Sequence, residues 1–187
     1  MPHKNFQTSL TSKKPPSKFS SVSTAASSKV HSIVTRGIVS TVSTIIVIIY
    51  AVGAGRWVAT DADWYRSLNS PSWQPPDFIF GLIWPYNFAV LIIAGFVVAS
   101  RDSRTEQIIW LASLALSVAA ALLWAWLFYV PHSLHASGFA LGAATLLTVP
   151  LVVIAFRASP LLGLALVPYQ VWVAIATSLA FGYAARN

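Results

Sequence analysis

Five stretches of this chain, 37–56, 78–100, 107–130, 133–156 and 160–184, are apolar and each close to the length that crosses a bilayer. A helix rises 1.5 Å per residue, so about 20 apolar residues cover the hydrocarbon core. Inside lipid every backbone N–H and C=O must find a partner within the protein, which leaves only helices and closed barrels. Barrel strands alternate apolar and polar residues over roughly ten positions, and no such segments occur here. The chain is therefore predicted to be an all-α membrane protein, a bundle of five transmembrane helices.

Charge placement narrows the function. Of 187 residues 56% are hydrophobic and 9% charged, against about 25% charged in soluble domains. All five acids (Asp61, Asp63, Asp77, Asp102 and Glu106) lie outside the apolar runs, and no Lys or Arg falls well inside one. Ion-coupled transporters usually keep a charge at the site, on broken helices of two related halves. Pro85, Pro150 and Pro168 interrupt three spans, but no internal repeat accompanies them. A coupled transporter is not expected. The absence of cysteine excludes disulfides, thiolate catalysis and iron–sulfur clusters.

Residues 1–34 are rich in Ser, Thr and Lys and carry no acid. Such a segment has too little apolar surface to fold, so a disordered basic tail is expected before a membrane domain at 35–187. Transit peptides share that composition but favour arginine, and the first arginine is Arg36. The cytosol-facing tail is the first reading and a targeting segment the second. Lys and Arg number nine on the N-terminal side of the bundle against three (Arg56, Arg66 and Arg186) on the other. That places the N-terminus inside, although without the five tail lysines the count is four against three. The net charge of +7 suits anionic membrane lipid. Nucleic acid is not an expected partner, because no groove-reading or base-stacking motif accompanies the charge.

The loop between the first two spans reads Trp64-Tyr65-Arg66-Ser67-Leu68-Asn69-Ser70-Pro71-Ser72-Trp73-Gln74-Pro75-Pro76-Asp77, with Phe80 and Trp84 entering the next helix. Pro71, Pro75 and Pro76 fix the backbone without regular structure, and the tryptophans suit a boundary that is dry on one side and wet on the other. A stiff aromatic lid over a bundle suits a flat, greasy ligand. Further along stand Trp124-Ala125-Trp126-Leu127-Phe128-Tyr129, Ser159-Pro160 and Pro168-Tyr169-Gln170-Val171-Trp172, with Ala176-Thr177 after them. In order and spacing, over roughly residues 38–185, these motifs resemble the TspO/MBR family, the tryptophan-rich sensory and translocator proteins also described as peripheral-type benzodiazepine receptor-like. The resemblance implies a five-helix fold and a cavity inside the bundle, covered by the first loop. It implies porphyrins as ligands, with sterols or related lipids behind, and inward-facing tryptophans at Trp84 and Trp172.

Helical spacing offers its own candidates. Phe80, Trp84 and Phe88 share a face of the second span, Trp124 and Phe128 one of the third, and Tyr169, Trp172, Ala176, Leu179 and Tyr183 one of the fifth. Such stripes also serve as plain core or lipid contacts. Together with the resemblance they give the expected ligand-binding set: Trp64, Trp73, Pro75, Pro76, Trp84, Phe88, Trp124, Phe128, Trp172 and Ala176. The sequence departs from the family pattern at Ala121 and Ala180, where asparagine is common, and at Phe88, where tyrosine is. Fewer directional hydrogen bonds are thus expected in the cavity.

Gly138 and Gly142 form a GxxxG face on the fourth span, which serves packing within one subunit and a homodimer equally well. His132 and His135 flank a tight turn, too few ligands for a metal site. They read as interfacial histidines, with axial haem ligation a minor alternative. Leu179, Tyr183 and Arg186 fit a loose sterol-recognition pattern, or simply an aromatic beside a terminal arginine. The leading expectation is a binding protein or sensor, with no required cofactor, in a bacterial cell membrane rather than an organelle's. The rivals are a light-dependent porphyrin-degrading enzyme using Trp84 and Trp172, and a dimerising membrane scaffold.

Overall fold

The computed structural model describes residues 18–58 and 60–187, with side chains at 29, 30, 32–58 and 60–187. The elements are α1 (Lys18–Val58), α2 (Ala62–Ser67), α3 (Asp77–Ala99), α4 (Arg104–Tyr129), α5 (Leu134–Ala158) and α6 (Pro160–Ala184). Five of them are long and apolar enough to cross a membrane, α1 through its Ser32–Val58 part. The described residues contain no strand. The protein is thus an all-α, multi-pass integral membrane protein.

By contacts the chain divides into residues 1–34 and 35–187. The helix already begins at Lys18, inside the stretch read as a tail. No glycine or proline stands between Pro16 and Gly37 to break it. The expected disorder of residues 1–17 lies outside the described residues.

The five spans are apolar on every side, as lipid-embedded helices must be. Val47, Leu91, Leu114, Leu151 and Leu166 are fully buried, while Ile48, Leu82, Ile93, Leu116, Leu146 and Leu161 on the same helices face outward. With no hydrophobic drive between helices in lipid, association rests on close packing and interhelical hydrogen bonds. Both are present. The buried Trp110 indole donates to Ser43 Oγ at 3.1 Å, joining α4 to α1. A Cβ at Gly95 of α3 would lie 2.7 Å from Ser43 Cβ, so only glycine admits that contact. Between α5 and α6 the Thr145 and Thr177 hydroxyls are 2.8 Å apart. Thr148 donates to Gln170 Oε1 at 2.7 Å, and Gln170 Nε2 donates to the Thr145 carbonyl at 3.0 Å.

The GxxxG glycines are engaged inside the subunit. A Cβ at Gly138 would stand 2.9 Å from the Phe181 ring, and one at Gly142 would stand 3.7 Å from Thr177 Cγ2. Packing of α5 on α6 therefore accounts for Gly138, whereas a Cβ at Gly142 would make only an ordinary contact.

Ion pairs collect the ends of the helices. On one side Arg36 meets Asp102 at 3.0 Å and Arg157 meets Glu106 at 4.0 Å. On the other, Asn69 and Asn187 exchange hydrogen bonds, Asn69 N–H to Asn187 Oδ1 at 2.9 Å and Asn187 Nδ2 to the Asn69 carbonyl at 3.3 Å. The first loop is thereby fastened to the C-terminus.

Candidate functional site

On the first-loop side the bundle opens into a cavity of about 540 Å³, within the range of small-molecule sites. Each wall follows from helix periodicity. From α3 come Phe80, Trp84 and Phe88, from α4 Trp124, Phe128 and Tyr129, and from α6 Trp172, Ala176, Leu179, Ala180 and Tyr183. α1 supplies only small or short side chains here (Ala51, Ala54, Gly55 and Val58), so the space is left beside it. α5 packs behind α4 and α6 and contributes no lining residue.

The rings hold one another in place. Trp84 and Phe88 stack, with centroids 5.6 Å apart and planes at 26°, and Tyr50 of α1 meets both edge-on. Phe80 meets Trp172 edge-on at 5.0 Å. Each such pair adds about 0.5–1.5 kcal/mol beyond area burial, so the walls are set before any ligand arrives. Two polar atoms stand out against this apolar surface. The indole nitrogens of Trp124 and Trp172 are buried and have no hydrogen-bond partner within the protein.

The roof is polar. α2 is capped by Asp61, whose Oδ1 accepts from Trp64 N–H at 3.0 Å, and it brings Ala62, Tyr65 and Arg66 to the cavity. Gln74 Nε2 donates to the Tyr65 hydroxyl at 3.4 Å, and the Tyr183 hydroxyl donates to Gln74 Oε1. Arg66 and Asp77 are the charged groups of the lining. Arg66 also pairs with Asp63 at 3.5 Å.

Of the ten expected ligand-binding residues, Trp84, Phe88, Trp124, Phe128, Trp172 and Ala176 line this cavity. Trp64, Trp73, Pro75 and Pro76 do not. Trp64 stacks on His132 at 3.7 Å and meets Phe128 edge-on, supporting the wall from behind. Trp73 points away and lies against α6, its N–H 3.3 Å from Ser178 Oγ and the Arg186 guanidinium 4.8 Å from its ring centroid. Pro71, outside the expected set, is the loop's buried anchor. It sits where Gly182 leaves room, since a Cβ there would lie 2.7 Å from Pro71 Cγ.

Two further expectations shift. Ala121 and Tyr169 are packed in the core rather than on the cavity, while Ala180 does line it. Among the three departures from the family pattern, then, those at Phe88 and Ala180 line the cavity. Leu179 and Tyr183 face the cavity too, and Arg186 turns back to donate to the Gly182 carbonyl at 3.1 Å. The sterol pattern therefore forms no outward groove on α6.

Sequence reasoning left out Tyr65, Gln74, Asp77, Tyr129 and the small residues of α1. Tyr65 and Gln74 lay in the quoted loop motif, whose aromatic and proline residues drew attention from them. Nothing in the sequence singles out Ala51, Ala54 or Gly55. No group of three or more His, Cys, Asp or Glu side chains gathers among the described residues.

Known proteins place this architecture. The sequence profile described as the TspO/MBR family matches residues 43–186. The protein CrtK of Rhodobacter capsulatus is 30% identical over 130 residues, 69% of this chain and 81% of its own. The tryptophan-rich sensory protein of Cereibacter sphaeroides is 30% identical over 119 residues, 64% of this chain and 73% of its own. The human translocator protein is 31% identical over 127 residues, 62% of this chain and 70% of its own. Since the matched region takes in the first loop, all the cavity-lining residues and the glycine on which the loop docks, the chain belongs to the TspO/MBR family.

Proposed function

We infer that the cavity binds a flat, largely apolar molecule bearing a hydrogen-bond acceptor, with porphyrins the leading class and sterol-like lipids the second. The observation that carries this is a cavity walled by aromatic rings and small apolar side chains, with the unpartnered indole N–H groups of Trp124 and Trp172 buried in its walls. A buried donor without a partner costs about 1–3 kcal/mol. A ligand acceptor that reaches one of these nitrogens recovers that energy, while the ring faces supply stacking. Binding of this kind serves sensing or sequestration and requires no cofactor; porphyrin is the ligand.

The test is quenching of tryptophan emission in purified protein by protoporphyrin IX, with a sterol titrated beside it. Saturable quenching at one site is expected for the porphyrin. Trp172→Phe keeps a π-face and removes the N–H, so affinity should fall about five- to tenfold, the equivalent of roughly 1 kcal/mol. Quenching that rises without saturation, as partition into lipid gives, or an unchanged affinity in Trp172→Phe would overturn the reading.

A further inference from the structure

The turn between α4 and α5 holds the one residue other than glycine with positive φ among the described residues, His132 at 54°. Side chains larger than glycine rarely adopt that conformation, and where they do the surroundings hold them there. Here the surroundings belong to α2 and its cap. The His132 ring lies parallel to Trp64, with centroids 3.7 Å apart and planes at 11°. Its Nε2 stands 3.6 Å from Asp61 Oδ2, while the other oxygen of the same carboxylate caps α2. One imidazole thus touches both the carboxylate that starts the helix and an aromatic ring within it. That helix carries Ala62, Tyr65 and Arg66 into the roof of the cavity.

We propose that His132 is a positioning residue for the ligand cavity: its protonation clasps α2 down over the bound molecule, and its deprotonation releases it. This rests on the reading of the cavity as a ligand site. A neutral imidazole stacks on Trp64 without a charge to offer Asp61. An imidazolium pairs with the carboxylate and adds a cation–π contact to the indole face.

The other charges nearby leave this pairing intact. On α2, Asp63 is engaged with Arg66 at 3.5 Å, so Asp61 is the carboxylate at the ring. α4 carries no charged residue after Glu106, and α5 brings only His135 in its first turn. His132 lies between the C-terminal end of α4 and the N-terminal end of α5, whose dipole ends oppose one another. The turn lies on the side of the membrane away from the N-terminus, the outer face by the positive-inside assignment. External acidity would therefore tighten ligand retention.

Histidine changes charge between pH 5 and 8, a range in which carboxylates are ordinarily ionised. His132 and Asp61 are 36% and 42% exposed, so screening limits the pair to a factor of a few. Dissociation of protoporphyrin IX from the full-length protein in lipid nanodiscs should be about three- to tenfold slower at pH 6 than at pH 8.

Two variants isolate the cause. His132→Asn tolerates the left-handed backbone but does not titrate. Asp61→Asn still caps the helix but carries no charge. His132→Asn should dissociate at one rate across this range, close to the wild type at pH 8, and Asp61→Asn should keep only the smaller pH dependence that the cation–π contact with Trp64 supplies. A pH dependence as steep in both variants as in the wild type would overturn the clasp, and would assign the effect to the porphyrin itself. If no porphyrin binds at any pH, the ligand reading has failed, and the clasp is then read without ligand. Amide exchange in Ala62–Ser67, corrected for intrinsic rates, should slow on acidification in the wild type and not in His132→Asn. Equal protection at both pH values in the wild type would sink it.

Discussion

Gly182→Ala tests whether the first loop is held over the cavity by its fit to α6. The added Cβ would lie 2.7 Å from Pro71 Cγ and 2.9 Å from Trp73 Cζ2. Neither neighbour yields easily. Pro71 is a rigid ring and buried, and Trp73 is tethered by its N–H to Ser178 and by Arg186 over its face. Overpacking of this kind costs about 1–3 kcal/mol. Against it stands the gain from replacing glycine within a helix, about 0.5–1 kcal/mol. Gly81→Ala supplies the control, because a Cβ at Gly81 meets nothing within 4 Å and so reports that gain alone. Gly182→Ala should melt below Gly81→Ala by the equivalent of about 1–3 kcal/mol. The same collision should lift the loop, speeding chymotrypsin cleavage at Trp73 and weakening ligand binding through loss of Gln74 from the roof. If both variants shift equally and the loop is cut no faster, the loop is not seated on Gly182.

Two other outcomes follow from single residues. Asn87 is fully buried on α3 with neither amide atom partnered, so Asn87→Leu should raise thermal stability by about 1–3 kcal/mol; a loss of stability would mean the amide has a partner. Under illumination, bound protoporphyrin should show little protein-dependent bleaching, and a product formed by the wild type but by neither Trp84→Phe nor Trp172→Phe would make this an enzyme rather than a binder.

Legibility in the sequence divides along a physical line. The five spans were readable because lipid imposes a length and forbids charge, and both constraints act locally on consecutive residues. The ring-bearing walls were readable for a related reason. Phe80, Trp84 and Phe88, or Trp124 and Phe128, fall on one face by helical geometry alone, and the cavity side is where those faces meet. α2 was missed, although its signal was present: Asp61 stands where an N-cap belongs and Asp63 falls in the first turn.

The loop's direction obeyed no local rule. A proline-stiffened aromatic segment reads as a lid, yet which way Trp73 turns depends on where Pro71 finds room, and that is set by Gly182 more than a hundred residues later. The same holds for α1. Ala51, Ala54 and Gly55 carry no chemistry of their own, and their part in the site consists of the volume they leave for rings on other helices. A cavity is made as much by what is small as by what is aromatic, and periodicity reveals only the aromatic half. This also explains why the roof was harder to read than the walls. Tyr65, Gln74 and Tyr183 come from α2, the loop and α6, and they become one polar cluster only when the loop docks. The docking residues hold the roof in place without lining the cavity, so substitutions at Pro71, Gly182 or Asn187 should alter binding as directly as substitutions in the cavity wall.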